Sequence, residues 1–224
     1  MFTGLIQAVG EIRDVQSQGV DRRLRVAVGK LPMAQIATGD SIAVNGVCLT
    51  AVDLDRHSFA ADVSAETLAH TTLGEIGAGR RVNLEMALTP TTRLGGHLVS
   101  GHVDGVGEVL QRRPEGSSER FVLRAPAALQ RYIAVKGSIC VDGTSLTVNE
   151  VDGERFGLNI VPHTLAETVI GDYRAGSRVN LEVDIIARYL ERLLSGDGDG
   201  DGEASGEAGV SAALLARAGF MRPD

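Results

Sequence analysis

The 224-residue sequence predicts an all-β chain of two similar small domains, each a barrel or sandwich of short antiparallel strands. Three observations predict it. Sliding the chain against itself by 97 positions aligns residues 1–87 with 98–184 without a gap, and 28 of the 87 pairs are identical. Turn residues recur about every 8–12 positions between short alternating runs, a spacing that favours a barrel or sandwich over βαβ units. Finally, one phrase is written twice, as "SIAVNGVCLT" (Ser41 to Thr50) and "SICVDGTSLT" (Ser138 to Thr147). A period of 97 is too long for a solenoid unit and suits two tandem domains, 1–97 and 98–184.

The elements follow in order along each copy. "GLIQAVGEI" (Gly4 to Ile12) falls on "GHVDGVGEV" (Gly101 to Val109). In the doubled phrase, Asn45-Gly46 and Asp142-Gly143 stand between alternating β-branched runs, the strongest short hairpin signal. "RFVLRAP" and "RFGLNIV" add short strands, and "RRVNLEMAL" and "SRVNLEVDI" alternate after a Gly turn. Short helical pieces are expected at "PMAQIA", at "PAALQRYI", and after "ETLAHT" and "HTLAET". Two segments have no repeat partner. "IIARYLERLLS" (Ile185 to Ser195) sets Ile185, Ile186, Tyr189, Leu190, Leu193 and Leu194 on one helical face, suited to packing on a domain or on its equivalent in another subunit. Residues 196–224 read as a flexible acidic tail.

Composition narrows the function classes. Hydrophobic content of 43% and charged content of 23% are ordinary for a globular protein, and aromatics at 4% leave the core to Val, Leu, Ile and Ala. The net charge of −7 argues against nucleic acid or an anionic membrane as partner, although six acids and two Arg in the tail supply −4 of it. The start "MFTGLIQAVGEIRD" has no basic n-region, and no stretch approaches 18 apolar residues, so a cytoplasmic protein is expected. Cys48 and Cys140, in apolar strand-like segments, read as reduced core residues.

No nucleotide-binding or GxSxG signature is present. His97 and His102 in "GGHLVSGH" would point to opposite faces of a strand, so no metal site is expected there. The tail places Asp197, Asp199, Asp201, Gly202 and Glu203 as in a calcium-binding loop, but Ala208 stands where a bidentate Glu is required. What remains is a pair of equivalent surfaces dense in small and polar groups, better suited to a flat hydrogen-bonding ring system than to a charged ligand. The copies differ in ionisable groups: His102 falls on Leu5, Cys48 on Ser145, Glu66 on His163 and Asp184 on Ala87. Two folds that bind alike but differ so could hold two copies of one ligand in different roles.

"MFTGLIQ", "GDSIAVNGVCLT", "GGHLVSGHVDG", "KGSICVDGTSLTVNEV" and "IVPHTLAETVIG" resemble the riboflavin synthase α-chain family over about residues 1–195. The resemblance implies two six-stranded Greek-key antiparallel β-barrels, a C-terminal oligomerisation helix (185–195), a homotrimer and no cofactor or metal. It implies conversion of two 6,7-dimethyl-8-ribityllumazine molecules into riboflavin and 5-amino-6-ribitylaminouracil by four-carbon transfer, the last step of riboflavin biosynthesis. The site would form where the first barrel of one subunit faces the second barrel of its neighbour.

Residue by residue, the resemblance implies ligand contacts in the first barrel at Gly4, Leu5, Ile6, Cys48, Leu49, Thr50, Asp62, Val63, Ser64, Ala65, Glu66 and Thr67. In the second barrel it implies Gly101, His102, Val103, Lys136, Ser145, Leu146, Thr147, Ile160, Val161, Pro162, His163, Thr164 and Leu165. Phe2 matches an aromatic that packs near the ligand, and Ser41, Cys48, His102 and Asp184 match positions implicated in catalysis. The tail departs from the family's common core, and truncation after Ser195 is expected to leave activity unchanged. Two rival readings are a non-catalytic lumazine-binding antenna protein and a structural duplicated barrel.

Overall fold

In a computed structural model, residues 1–195 are described. The acidic tail and its calcium-loop resemblance lie outside the described residues. The first repeat forms β1 (Ala8–Gln18), β2 (Asp21–Ala27), β3 (Ser41–Val44), β4 (Val47–Thr50), β5 (Ser58–Val63) and β6 (Arg81–Met86). The second forms β7 (Gly105–Glu115), β8 (Ser118–Arg124), β9 (Ser138–Val141), β10 (Thr144–Asp152), β11 (Arg155–Ile160) and β12 (Arg178–Val183). Within each repeat the antiparallel order is the same. It runs β4-β3-β6-β1-β2-β5 in the first and closes as β10-β11-β8-β7-β12-β9 in the second. In the first repeat the closing contact is a single bridge, in which Val52 and Ala60 exchange backbone hydrogen bonds of 2.8 Å.

The doubled phrase forms the β3–β4 and β9–β10 hairpins. Both central residues of each turn have positive φ: 46° at Asn45, 77° at Gly46, 42° at Asp142 and 81° at Gly143. This is the type I′ turn that matches strand twist, and Asn or Asp followed by Gly adopts it with little strain. Ile42, Val44, Val47 and Leu49 point into the first core beside Phe59 and Leu84. Ile139, Val141, Phe156 and Leu181 occupy the second.

The helical expectations are corrected in detail. The pieces placed after "ETLAHT" and "HTLAET" lie on those phrases, as α1 (Ala65–His70) and α2 (Pro162–Glu167), each followed by a 3-10 turn. Ser64 Oγ caps α1 by accepting from the Thr67 amide at 3.2 Å. "PMAQIA" and "PAALQRYI" make 3-10 turns, because Pro fixes the entry φ but neither segment is long enough to propagate a helix. The stripe-bearing segment is helical as α3 (Ile185–Leu194), with Ile186, Tyr189, Leu190, Leu193 and Leu194 exposed.

Met1–Ile185 is one compact unit holding both barrels. Their contact is nearly symmetric, and the two repeats exchange their N-terminal segments. Phe2 bridges Val99, its equivalent in the second repeat, through hydrogen bonds of 2.7 and 3.1 Å. Glu85 accepts from the Thr3 amide (2.7 Å), the Thr3 hydroxyl (2.5 Å) and the Gly4 amide (3.0 Å). Glu182 does the same for Ser100 and Gly101. Asn83 and Asn180 each donate across to the opposite hairpin, to the carbonyls of Asp142 (2.8 Å) and Asn45 (2.9 Å). They also accept from the amides of Val169 and Thr72. The "VNLE" shared by the two copies is thus a strand buried on both faces, with Val and Leu in its own core, Asn against the other repeat and Glu holding the N-terminal segment of its own repeat.

Candidate active site

Strand alternation puts Ser41, Cys48 and Thr50 on the outer face of the first barrel. The register pairs Ser41 with Thr50 and Ala43 with Cys48, while Ile42 and Leu49 face inward. The same register in the second repeat puts Ser138, Cys140, Ser145 and Thr147 outward. Cys140 is buried there, where desolvation pushes its thiol well above the ordinary range, so it is an inert core group. Cys48 is half-buried.

The exchanged segments complete each face with residues of the other repeat. The Cys48 amide donates to the Gly101 carbonyl at 2.8 Å, so His102 belongs beside the first barrel's hairpin. Val103 packs against the first barrel's core. Symmetrically, the Ser145 amide donates to the Gly4 carbonyl at 2.8 Å, which brings Gly4–Ile6 onto the second barrel's hairpin. Sequence reasoning had grouped these stretches by repeat; the backbone crosses them. Both junctions need glycine: Gly4 and Gly101 have φ of 74° and 81°, and a Cβ on either would sit 2.6–2.7 Å from Ser145 or Cys48.

Phe2 is fully buried and backs this crossing from beneath, packed with Ala43, Val99, Cys140 and Cys48. Leu49, Val63 and Ile160 turn their side chains into the barrel cores, so only their backbone groups can serve a ligand. Leu146 and Leu165 are half-buried against the second core. Leu5, Thr50, His102, Lys136, Val161, Pro162 and His163 are exposed. Asp62 and Glu66 are exposed and engaged, Asp62 with Arg23 at 3.4 Å and Glu66 with His70 at 3.2 Å. Ala65 and Thr67 lie on α1 behind Ser64, and Thr164 lies on α2. Lys136 holds a left-handed φ of 66° where the first repeat has Gly39, a strained position that presents a cation at the rim.

Two buried carboxylates stand at the crossing. Burial raises both Glu85 and Glu182, opposed by hydrogen bonds from Thr3 and Ser100 respectively. The charge of His102 acts in the same opposing sense on Glu182. Asp184 is half-buried, and its negative charge bears on His97.

His97 is the residue that sequence reasoning missed. In the sequence it stands five positions before His102 and just ahead of residue 98, where the second copy begins, so it has no counterpart in the first. The structure places its ring Nδ1 2.7 Å from Ser145 Oγ.

Tandem barrels whose outer faces carry equivalent small-and-polar patches define a class of protein with two like surface cradles. The model of the lumazine binding domain matches residues 3–87 and again residues 100–184. The riboflavin synthase of Photobacterium phosphoreum is 48% identical over 221 residues, covering 99% of this chain and all of that protein. That alignment runs into the tail, whereas those of Schizosaccharomyces pombe (42% identical, 94% of that protein) and Bacillus subtilis (38%, 90%) each take in 87% of this chain. LumP, solved in complex with riboflavin, is 26% identical with a TM-score of 0.76, covering 82% of this chain and 99% of LumP. The chain belongs to the lumazine-binding-domain family and, within it, to the riboflavin synthases.

Proposed function

We infer that this protein is a riboflavin synthase that dismutates two molecules of 6,7-dimethyl-8-ribityllumazine to riboflavin and 5-amino-6-ribitylaminouracil. The observation that carries this is the pair of equivalent cradles in one chain of a family whose relatives are riboflavin synthases. One substrate in two roles requires two like sites with unlike polar groups. The first outer face offers Ser41, Cys48 and His102, and the second Ser145, Lys136 and Asp184.

The chemistry asks little of any one group. The C7 methyl of the lumazine is acidic because its carbanion is delocalised over the ring, so holding two rings face to face can supply about 7–11 kcal/mol of the barrier. His102 is the candidate to assist methyl deprotonation. Ser41 and Cys48 would deliver or stabilise the nucleophile added to the partner ring, and Asp184 and Lys136 would orient polar groups. The exposure of both cradles supports an inter-subunit site, with the first barrel of one subunit facing the second of its neighbour. The apolar face of α3 supports a homotrimer. Among the described residues no helix is long and apolar enough to cross a membrane; we place the enzyme in the cytoplasm.

Mixing the protein with 6,7-dimethyl-8-ribityllumazine alone and following riboflavin absorbance tests the function, with two lumazines consumed per riboflavin. Binding without conversion would support an antenna protein, and neither would support a structural one. His102→Gln is expected to lose about 100-fold in turnover with ligand binding intact. Near-full turnover would remove the base role.

A further inference from the structure

His97 stands outside the duplication, so the shared architecture does not account for it. Its amide donates to the Thr3 carbonyl at 3.1 Å. Gly96 permits the approach, since a Cβ there would fall 2.1 Å from the Thr3 oxygen and 2.8 Å from Ser145 Cβ. His97 is 8% exposed, with ring Nδ1 on Ser145 Oγ and Nε2 buried without a hydrogen-bond partner among the described residues.

A neutral imidazole carries one N–H, and where it sits decides what Ser145 can do. Burial disfavours the imidazolium, against the pull of Asp184. A proton on Nε2 would be a buried donor with no acceptor, the rarest kind of orphan in folded proteins; a bare lone pair there is the lesser cost. The proton therefore belongs on Nδ1, pointing at Ser145 Oγ. The serine oxygen then accepts from the histidine, and its own hydrogen is free to point away from the protein. Cys48, the equivalent of Ser145, has its amide on Gly101 and a thiol that is only a weak donor.

We propose that His97 is a positioning residue whose Nδ1–H fixes the Ser145 hydroxyl as a hydrogen-bond donor toward a carbonyl or ring-nitrogen acceptor of the ligand on the second barrel. The proposal rests on the lumazine reading for the identity of that ligand. It makes the two cradles chemically unequal: the second presents a directed hydroxyl donor and the first a thiol.

Two measurements test it. Nitrogen-15 NMR of labelled histidine in the whole protein is expected to show His97 as the neutral Nδ1–H tautomer; the Nε2–H tautomer or an imidazolium would overturn the proposal. In steady-state kinetics, Ser145→Ala and His97→Leu are each expected to lower kcat/KM about tenfold, and the double variant to fall no further. His97→Asn, whose amide nitrogen can stand where Nδ1 stands, is expected to stay within about threefold of the parent. Additive losses, or an Asn variant as impaired as Leu while its thermal midpoint is unchanged, would overturn it. Should the parent protein neither bind nor convert the lumazine, the functional reading fails, while the NMR result still decides the tautomer.

Discussion

Asn45 and Asp142 hold the same place in the two hairpins and do the same backbone work. Each accepts through Oδ1 from the amide of Asn83 or Asn180 at 2.7 Å. The difference is the second oxygen of Asp142, which takes the hydroxyl of Tyr173, where the first repeat has Ile76. Burial pushes the Asp142 carboxyl from 3.8 up to about 7, in spite of the Tyr173 and Asn180 hydrogen bonds and the charge of Arg80. A carboxyl raised in the folded state binds its proton more tightly there than in the unfolded chain. Its contribution is therefore full below about pH 4, declines as pH rises toward 7, and is constant above. At about 1.4 kcal/mol per pH unit this is on the order of 4–5 kcal/mol. Asp142→Asn keeps the Oδ1 acceptor and removes the titration, so its thermal midpoint is expected to overtake the parent's progressively between pH 4 and 7. A gap independent of pH would count against the titration. The sequence displayed the Asn45/Asp142 exchange as a hairpin signal only, since its coupling to Tyr173, 31 residues on, is visible only in three dimensions.

At the scale of elements, the hairpins and the all-β character were legible because both depend on local turn chemistry and inward alternation, whereas the strand order, which sets β1 beside β6, depends on long-range pairing. The strand "VNLE" was legible only in half. Its alternation predicts one face buried, yet Asn83, Glu85, Asn180 and Glu182 are all buried as well. The Asn side chains bond to the other repeat and the Glu carboxylates to the N-terminal segment of their own, and nothing in a strand's own pattern names these partners. The same holds for the crossed cradles. Self-alignment picked out Gly4, Cys48, Gly101 and Ser145, but pairing Gly4 with Ser145 and Gly101 with Cys48 is a property of the exchange. Asn83→Ala removes a donor to the Asp142 carbonyl and an acceptor from the Val169 amide, stranding two buried groups. A loss of about 2–5 kcal/mol is expected in denaturant unfolding, and a similar loss for Asn180→Ala. Unequal losses would show that the two halves of the contact are not energetic equivalents.

At the scale of the whole molecule, binding and turnover make different demands on the chain. Each cradle is assembled from both repeats, and every residue of both lies within Met1–Ile185, a single compact unit. On the proposed reading, binding one lumazine draws on that unit alone. Turnover needs two lumazines ring to ring, and on the proposed reading the second is delivered by another subunit. Helix α3 is the element suited to bring subunits together, since Leu190 and Leu193 lie on an exposed apolar face that no repeat partner explains. Leu190→Asp places a charge on that face and leaves the sequence of Met1–Ile185 unchanged. On the proposed homotrimer reading it is expected to shift the protein from trimer to monomer in analytical ultracentrifugation and to reduce riboflavin formation at least about 100-fold, the scale of lost proximity. Lumazine binding, followed by fluorescence titration, is expected to change less than about threefold. A monomeric variant with full turnover would place both lumazines within one chain. A trimeric variant would free α3 of the assembly role and leave the subunit contact to the barrels themselves.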